Sequence, residues 1–198
     1  MRLAHPALIF AAAAVLGACS SGSSKGSTGS SPSGPNPNAT ESNVPGDIPD
    51  NQAFVPYVGP TASFTVSVPE GWARTVSGPA TLFTDKYNSV TIQSRPVATA
   101  PTVVTAQAGE VPSIRASSKN FRAGNVSTIS RKAGRAVLIT YQADSPPNSI
   151  TGKVAREAVE RYEFWKAGHE VVLTLAAPVG SDNVDPWRTI TDSFSWSK

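Results

Sequence analysis

Few side chains in this 198-residue chain could do chemistry. Past residue 5 the only histidine is His169, and the only cysteine is Cys19. A Ser-His-Asp triad would have to use His169, and residues 51–198 hold no Gly-x-Ser-x-Gly elbow to present a nucleophile. Histidine and cysteine are too few to ligate a metal in the usual way. Four carboxylates lie close together: Glu157, Glu160, Glu163 and Glu170. Paired carboxylates do acid–base work when their surroundings separate their pKa values. Here Glu157 and Glu163 are interleaved with Arg156 and Arg161, which reads as a solvated, charge-paired face of a hairpin. No phosphate-cradling or dinucleotide glycine pattern occurs. The chain is therefore expected not to be an enzyme, with no catalytic residue, no metal and no cofactor.

Charge offers a second kind of site. Between Val111 and Ala143 there is no Asp or Glu, whereas Arg115, Lys119, Arg122, Arg131, Lys132 and Arg135 all fall there. Such a cluster suits an anionic envelope component, a lipid headgroup or the acidic face of a protein partner. The alternative is solubilising charge scattered over two strands and a loop. Trp72, Trp165, Trp187 and Trp196 are expected to fill the core between helix and sheet; the alternative is that some line a ligand cleft.

Cys19 answers to location instead. "MRLAHPALIFAAAAVLGAC" has a basic start at Arg2, an apolar run from Leu8 to Leu16, and small residues at Gly17 and Ala18. That is the layout of an export signal, and the run is shorter than the ~20 residues of a membrane span. Leu16-Gly17-Ala18-Cys19 resembles the bacterial lipobox. The resemblance implies that Cys19 takes a diacylglycerol and becomes the first residue of the processed chain. Two acyl chains hold a protein on a membrane where one does so only marginally. The chain is thus expected at the extracytoplasmic face of the cell membrane, anchored through Cys19. Lys and Arg number 17 against 14 Asp and Glu; with Arg2 lost, the processed chain is nearly neutral. Export and near-neutrality argue against nucleic acid as a partner. A single cysteine leaves no intrachain disulfide.

Three segments follow. Residues 1–18 are the signal. Residues 19–50 are the lipidated cysteine and a tether of Ser, Gly, Pro and Asn, too poor in large apolar residues to fold. As a random coil it would reach about 30 Å. Residues 51–198 are one domain. Phe64, Val66 and Val68 alternate with Thr65 and Ser67, marking a strand closed at Pro69-Glu70-Gly71. "ATLFTD" and "SVTIQSRPV" form a hairpin about Lys86-Tyr87-Asn88. Pro101 and Thr102 open a helix with Val104, Ala108, Val111 and Ile114 or Arg115 on one side, kinked or broken near Val111 by Pro112. Two strands flank Lys132-Ala133-Gly134. Val154, Ala158, Val159 and Tyr162 fit helical spacing, but Val159 to Phe164 also alternates and Trp165 to His169 reads as a turn, which favours a second hairpin. Asp185 as N-cap and Pro186 at the first helical position begin a terminal helix with Trp187, Ile190 and Phe194 on one stripe.

"FTVSVPEGW", the central helix, the "YEFWKAGHEVVLTLAAP" hairpin and the closing "PWRTITDSFSW" together resemble the PsbP/Mog1-like superfamily. They are similar in particular to its actinobacterial lipoprotein branch of LpqN and LpqT type. The resemblance covers roughly residues 60–197, and its motifs are structural. It implies an α+β fold: a curved antiparallel β-sheet flanked by helices, an α-β-α sandwich. It also implies a binding, assembly or scaffold module, and it carries no catalytic residues. The expected function is a lipid-anchored, non-enzymatic binding or scaffold module. The alternative is a carrier of a small apolar or amphipathic ligand in a sheet–helix cleft.

Overall fold

Alternation settles which side of each strand is covered. In β2 (Phe64–Pro69), Phe64, Val66 and Val68 are buried, and Thr65 and Ser67 are half-buried, as a period of two requires. The computed structural model describes residues 46–60, 63–148 and 151–197. The segment read as a signal, Cys19 and nearly all of the stretch read as a tether lie outside the described residues. Every described residue belongs to one compact unit, Glu41–Lys198.

That unit contains a seven-stranded sheet in the order β3-β4-β5-β9-β8-β7-β6, with every neighbour antiparallel. β4 (Ala80–Asp85) and β5 (Asn88–Pro96) are joined at Lys86 and Tyr87, with Lys86 at φ 51°. β6 (Arg122–Arg131) and β7 (Gly134–Asp144) turn at Lys132 and Ala133. β8 (Arg156–Lys166) and β9 (His169–Pro178) turn at Ala167 and Gly168, both at positive φ. Two left-handed residues match the twist of the flanking strands. β9 then returns to pair with β5, from Ser89 opposite Ala176 to Pro96 opposite His169. The edge strand β3 (Ala73–Ser77) is exposed at every residue, so no burial pattern marks it in the sequence. A second sheet, β1-β2-β10, pairs β1 (Phe54–Val58) and β10 (Ser195–Trp196) with β2.

One face of the large sheet presents Val90, Ile92, Tyr162, Phe164, Val171, Leu173 and Leu175 to this second sheet and to α3 (Val184–Ser193). Trp187, Ile190 and Phe194 are buried there, as the stripe predicts, and the Phe194 ring stacks on Phe164 at 4.4 Å. Burying three such side chains contributes roughly 1.5–3 kcal/mol each. The start of α3 differs from expectation: the N-cap is Asn183, not Asp185, and the cap makes no side-chain bond to the helix. The Asn183 side chain is committed elsewhere. It accepts from the Ile48 amide at 2.7 Å and donates to the Gly46 carbonyl and to Asn88. Ile48 is itself buried, so the last residues of the stretch read as tether pack into the domain.

The opposite face carries the central helix. α1 (Val103–Thr105) opens with a capping box between Thr102 and Thr105. A π turn follows over Ala106–Glu110, and α2 (Val111–Ser117) continues directly from it. The Val111 amide reaches back to the Ala106 carbonyl, five residues away. Pro112 thereby sits in the first turn of α2, where its missing N–H is least costly. The extra residue also shifts the helix phase. Val104 and Ala108 are exposed, while Ala106, Val111 and Ile114 pack on Val137 and Ile139.

Candidate functional site

On the helix-covered face the inward residues are largely polar. Glu163 and Arg161 on β8, Glu170 on β9, Arg95 on β5 and Glu110 on the π turn share this side of the sheet. Arg95 bonds Glu170 at 2.6 Å and Glu110 at 2.8 Å; Arg161 bonds Glu110 at 3.0 Å and Glu163 at 3.2 Å. The π turn is what aims Glu110 at both guanidinium groups. Burial alone would raise Glu110, but Arg95 and Arg161 hold it below the ordinary carboxylate value. Glu163 goes the other way. Burial pushes it up to about 7, Arg161 opposing and Glu170 and Glu110 adding to the rise. Its second oxygen, Oε2, is buried with no hydrogen-bond partner. This is a correction to the expected solvated face: Glu163 and Glu170 are 1% and 2% exposed. The cluster is paired, but it is a clamp between helix and sheet.

Beyond the clamp the helix ends and the sheet stays uncovered, leaving a cleft of about 720 Å³. Its floor crosses β4, β5, β9, β8 and β7. The register sets Thr84 opposite Ser89, Thr91 opposite Thr174, Ala176 opposite Val159, and Val159 opposite Tyr141. Ser117 and Lys119 at the end of α2, and the segments around Pro146 and Lys153, form its walls. Glu157 lies on the floor side of β8, opposite Ala143. Burial pushes its carboxyl up to about 7, and among the described residues it makes no side-chain hydrogen bond or ion pair. The Tyr141 phenol is also raised, by burial first and by Glu157 in addition, against Arg161. A smaller depression of about 400 Å³ on the other face is lined by Arg122, Thr140, Glu160 and Trp187. Glu160 there already accepts from the Tyr162 hydroxyl. The larger cleft is the better candidate because Glu157 and the hydroxyls of Thr84, Ser89, Thr91 and Thr174 in its lining make no side-chain hydrogen bond among the described residues.

The six basic residues do not form one patch. β6 alone separates Arg122 from Arg131 by roughly 30 Å at about 3.3 Å per residue. Arg115 lies over the Phe121 ring and is exposed, Lys119 lines the cleft, and Arg122 starts β6. Lys132 and Arg135 are exposed at the far hairpin turn. Arg131 is a strut: it donates to Thr191 and to the Tyr162 hydroxyl, lies over the Tyr162 ring and faces Asp192. His169 is exposed at the start of β9. Among the described residues no cluster of His, Cys, Asp or Glu could hold a metal. No tryptophan lines the cleft. Trp187 is buried in the core and Trp72 and Trp196 pack against it, while Trp165 donates to the Val97 carbonyl.

No protein-family model matches the sequence, and no curated protein does. The Ran-binding protein Mog1p of Saccharomyces cerevisiae aligns over 74% of this chain and 96% of its own, at 9% identity and a TM-score of 0.51. Cyanobacterial PsbP of Synechocystis aligns over 77% and 98%, at 12% identity and a TM-score of 0.52. The chain has the PsbP/Mog1-like fold. LpqN of Mycobacterium tuberculosis, involved in cell envelope biogenesis, aligns over 75% and 93% at 15% identity. Its TM-score of 0.42 is too low to bear on the fold. Of one Bacteroides thetaiotaomicron structure the chain spans about half, 48%. In this PsbP/Mog1-like fold the cleft draws on residues from Leu82 to Ala176. Of the basic residues singled out in the sequence, only Lys119 lines it. Lys86, Lys153, Tyr87 and Tyr141 join it without having stood out as site residues in the sequence, and Glu157 joins it from the carboxylates read there as a solvated face. The one signal there is Glu157, which belongs to the carboxylate cluster of β8 and shares strand parity with the apolar Val159.

Proposed function

We propose that this chain is a non-enzymatic binding module, held by a lipid on Cys19 at the extracytoplasmic face of the cell membrane, with its ligand seat in the sheet–helix cleft. The observation that carries the reading is the cleft itself: a 720 Å³ opening whose floor carboxylate, Glu157, has no partner among the described residues. Glu157 is half-buried, and the partial loss of water raises its carboxyl to about 7; a ligand donor at Glu157 offsets that loss. The lipobox-like Leu16-Gly17-Ala18-Cys19 and the tether support the anchor. A Ran-binding protein of the same fold supports the binding role. The narrower assignment, to the actinobacterial lipoprotein branch, belongs with this proposal. A carrier of a small amphipathic ligand would use the same cleft, but its hydroxyl-rich floor suits a ligand that hydrogen-bonds.

The test uses the full chain in cells, with a photo-crosslinking residue at Thr91 in the cleft or at Val76 on the exposed edge strand. A defined adduct at Thr91, absent at Val76 and recovered in the membrane fraction, is the expected result. Cys19→Ala should leave the membrane fraction. No adduct at Thr91 removes the cleft as the seat. Membrane partition unchanged by Cys19→Ala removes the anchor. An enzymatic activity abolished by His169→Ala overturns the non-enzymatic reading.

A further inference from the structure

Resting on the cleft as the seat, its lining narrows the ligand. Across the floor, Thr84, Ser89, Thr91 and Thr174 present hydroxyls on three adjacent strands. None of the four makes a side-chain hydrogen bond among the described residues. Tyr87, 43% exposed, stands at the β4–β5 turn at one end, and Tyr141 on β7 stands at the other. Neither phenol has a hydrogen-bond partner among the described residues. Lys86, Lys119 and Lys153 are exposed along the rim, and none is ion-paired among the described residues.

Each feature excludes a class. The floor strands all lie inside the sheet with their ladders filled, so an extended peptide has no strand edge to join. The apolar lining, Leu82, Val159, two prolines and two alanines beside the Tyr87 and Tyr141 rings, is interrupted by Thr84, Ser89, Thr91, Thr174 and Glu157, so an acyl chain or a sterol-like body would leave those polar groups without partners. What remains is a ligand rich in hydroxyls along its length, with flat C–H faces for tyrosine and negative charge for the lysines. From β4 to β7 the floor crosses four strand spacings, about 19 Å at ~4.8 Å each, which suits an extended ligand of several units. Glu157 accepts hydrogen bonds from neighbouring hydroxyls of one such unit; bonds to a charged acceptor are the stronger kind.

We infer that the cleft binds an acidic oligosaccharide, a short glycan carrying carboxylate, sulfate or phosphate groups. The sugar hydroxyls meet Glu157 and the threonine and serine floor, the ring faces meet Tyr87 and Tyr141, and the acidic groups meet Lys86, Lys119 and Lys153.

Calorimetric titration of the full chain tests this with three acidic probes: tetragalacturonate, a hyaluronan tetrasaccharide and a heparin tetrasaccharide. Neutral maltotetraose and tetraglutamate are the controls. At least one acidic glycan should bind, tighter than both controls, and more weakly as salt rises. Glu157→Gln should weaken it by about tenfold or more. The double variant Lys119→Ala/Lys153→Ala, on exposed side chains with no fold to lose, should weaken it while leaving maltotetraose unchanged. Arg135→Ala, away from the cleft, should bind like wild type. Failure of all three acidic glycans to bind overturns the inference. So does maltotetraose binding as tightly, or a glycan affinity that neither cleft variant changes. Tetraglutamate binding as tightly would overturn it in favour of an acidic peptide. If the Thr91 adduct still forms in cells after any of these failures, the cleft stands and only the ligand class falls.

Discussion

Glu163→Gln is the sharpest test of the clamp. The Glu163 side chain is fully buried, with Oε1 at 3.2 Å from Arg161 Nε and Oε2 unpartnered. Its carboxyl rises from the ordinary 4.5 to about 7. A raised folded-state pKa means that the folded chain holds the proton more tightly than the unfolded chain. The contribution of Glu163 to stability is therefore fully present below about 4.5 and is lost as pH rises through about 7. Each tenfold gain in proton affinity on folding corresponds to about 1.4 kcal/mol. With three carboxylates and two arginines coupled in one cluster, about 1–3 kcal/mol is the working range. Glutamine keeps the shape and one acceptor for Arg161, and cannot ionise. Urea unfolding at pH 5 should find the variant and wild type close to each other. At pH 9 the variant should be the more stable by about 1–3 kcal/mol, a visible shift in midpoint at constant slope. A variant with the same fall in stability between pH 5 and pH 9 as wild type would refute the reasoning. The titrating group would then lie elsewhere.

Trp187→Ala should cost about 3–5 kcal/mol in urea unfolding, since the ring is 8% exposed against the large sheet, and a chain ending at Val184 should lose its cooperative melt. Gly59→Ala should cost about 1–3 kcal/mol by thermal melting, because a Cβ there would collide with the ring of the fully buried Phe64. Arg131→Met should cost about 1–3 kcal/mol through its lost bonds to Thr191 and Tyr162. Glycan binding in the cleft, on the other face of the sheet, should be unchanged in that variant, and a change would show the two faces to be coupled.

What could be read from the sequence was local. The alternation of Phe64, Val66 and Val68, the hairpins about Lys86, Lys132 and Ala167, and the Trp187-Ile190-Phe194 stripe each lie within one element. Their periods are set by backbone geometry alone. What escaped was decided by distant partners. Glu163 and Glu170 look solvent-facing because arginines alternate with glutamates nearby. Their burial depends on Arg95 and Glu110, brought in from other elements. The helix phase departs from expectation because a π turn adds a residue that no 3.6-residue template contains. β3 leaves no apolar signal because it buries nothing. The cleft gathers alternate residues of five strands, so no spacing in the sequence announces it. The proposed lipid site is the opposite case: its reading rests on a contiguous four-residue motif, Leu16-Gly17-Ala18-Cys19, and needs no fold.

Glu157 finally separates the needs of folding from the needs of binding. The central helix, 103–117, is about 22 Å long at 1.5 Å per residue, and it packs its apolar side on Val137 and Ile139. The rest of that face has little apolar surface to hide, because Thr84, Ser89, Thr91 and Thr174 occupy it. Leaving it open therefore costs little. Glu157 is different, since burial raises its carboxyl to about 7 with no partner to offset the cost. By the same sign as Glu163, ionised Glu157 weakens the fold as pH rises through that value. Folding alone would favour glutamine there. Glu157→Gln should thus be at least as stable as wild type at pH 8, by urea unfolding, while its affinity for an acidic glycan drops. A domain destabilised by Glu157→Gln at pH 8 would make the carboxylate a structural element, and the case for the cleft as a binding site would lose its main observation.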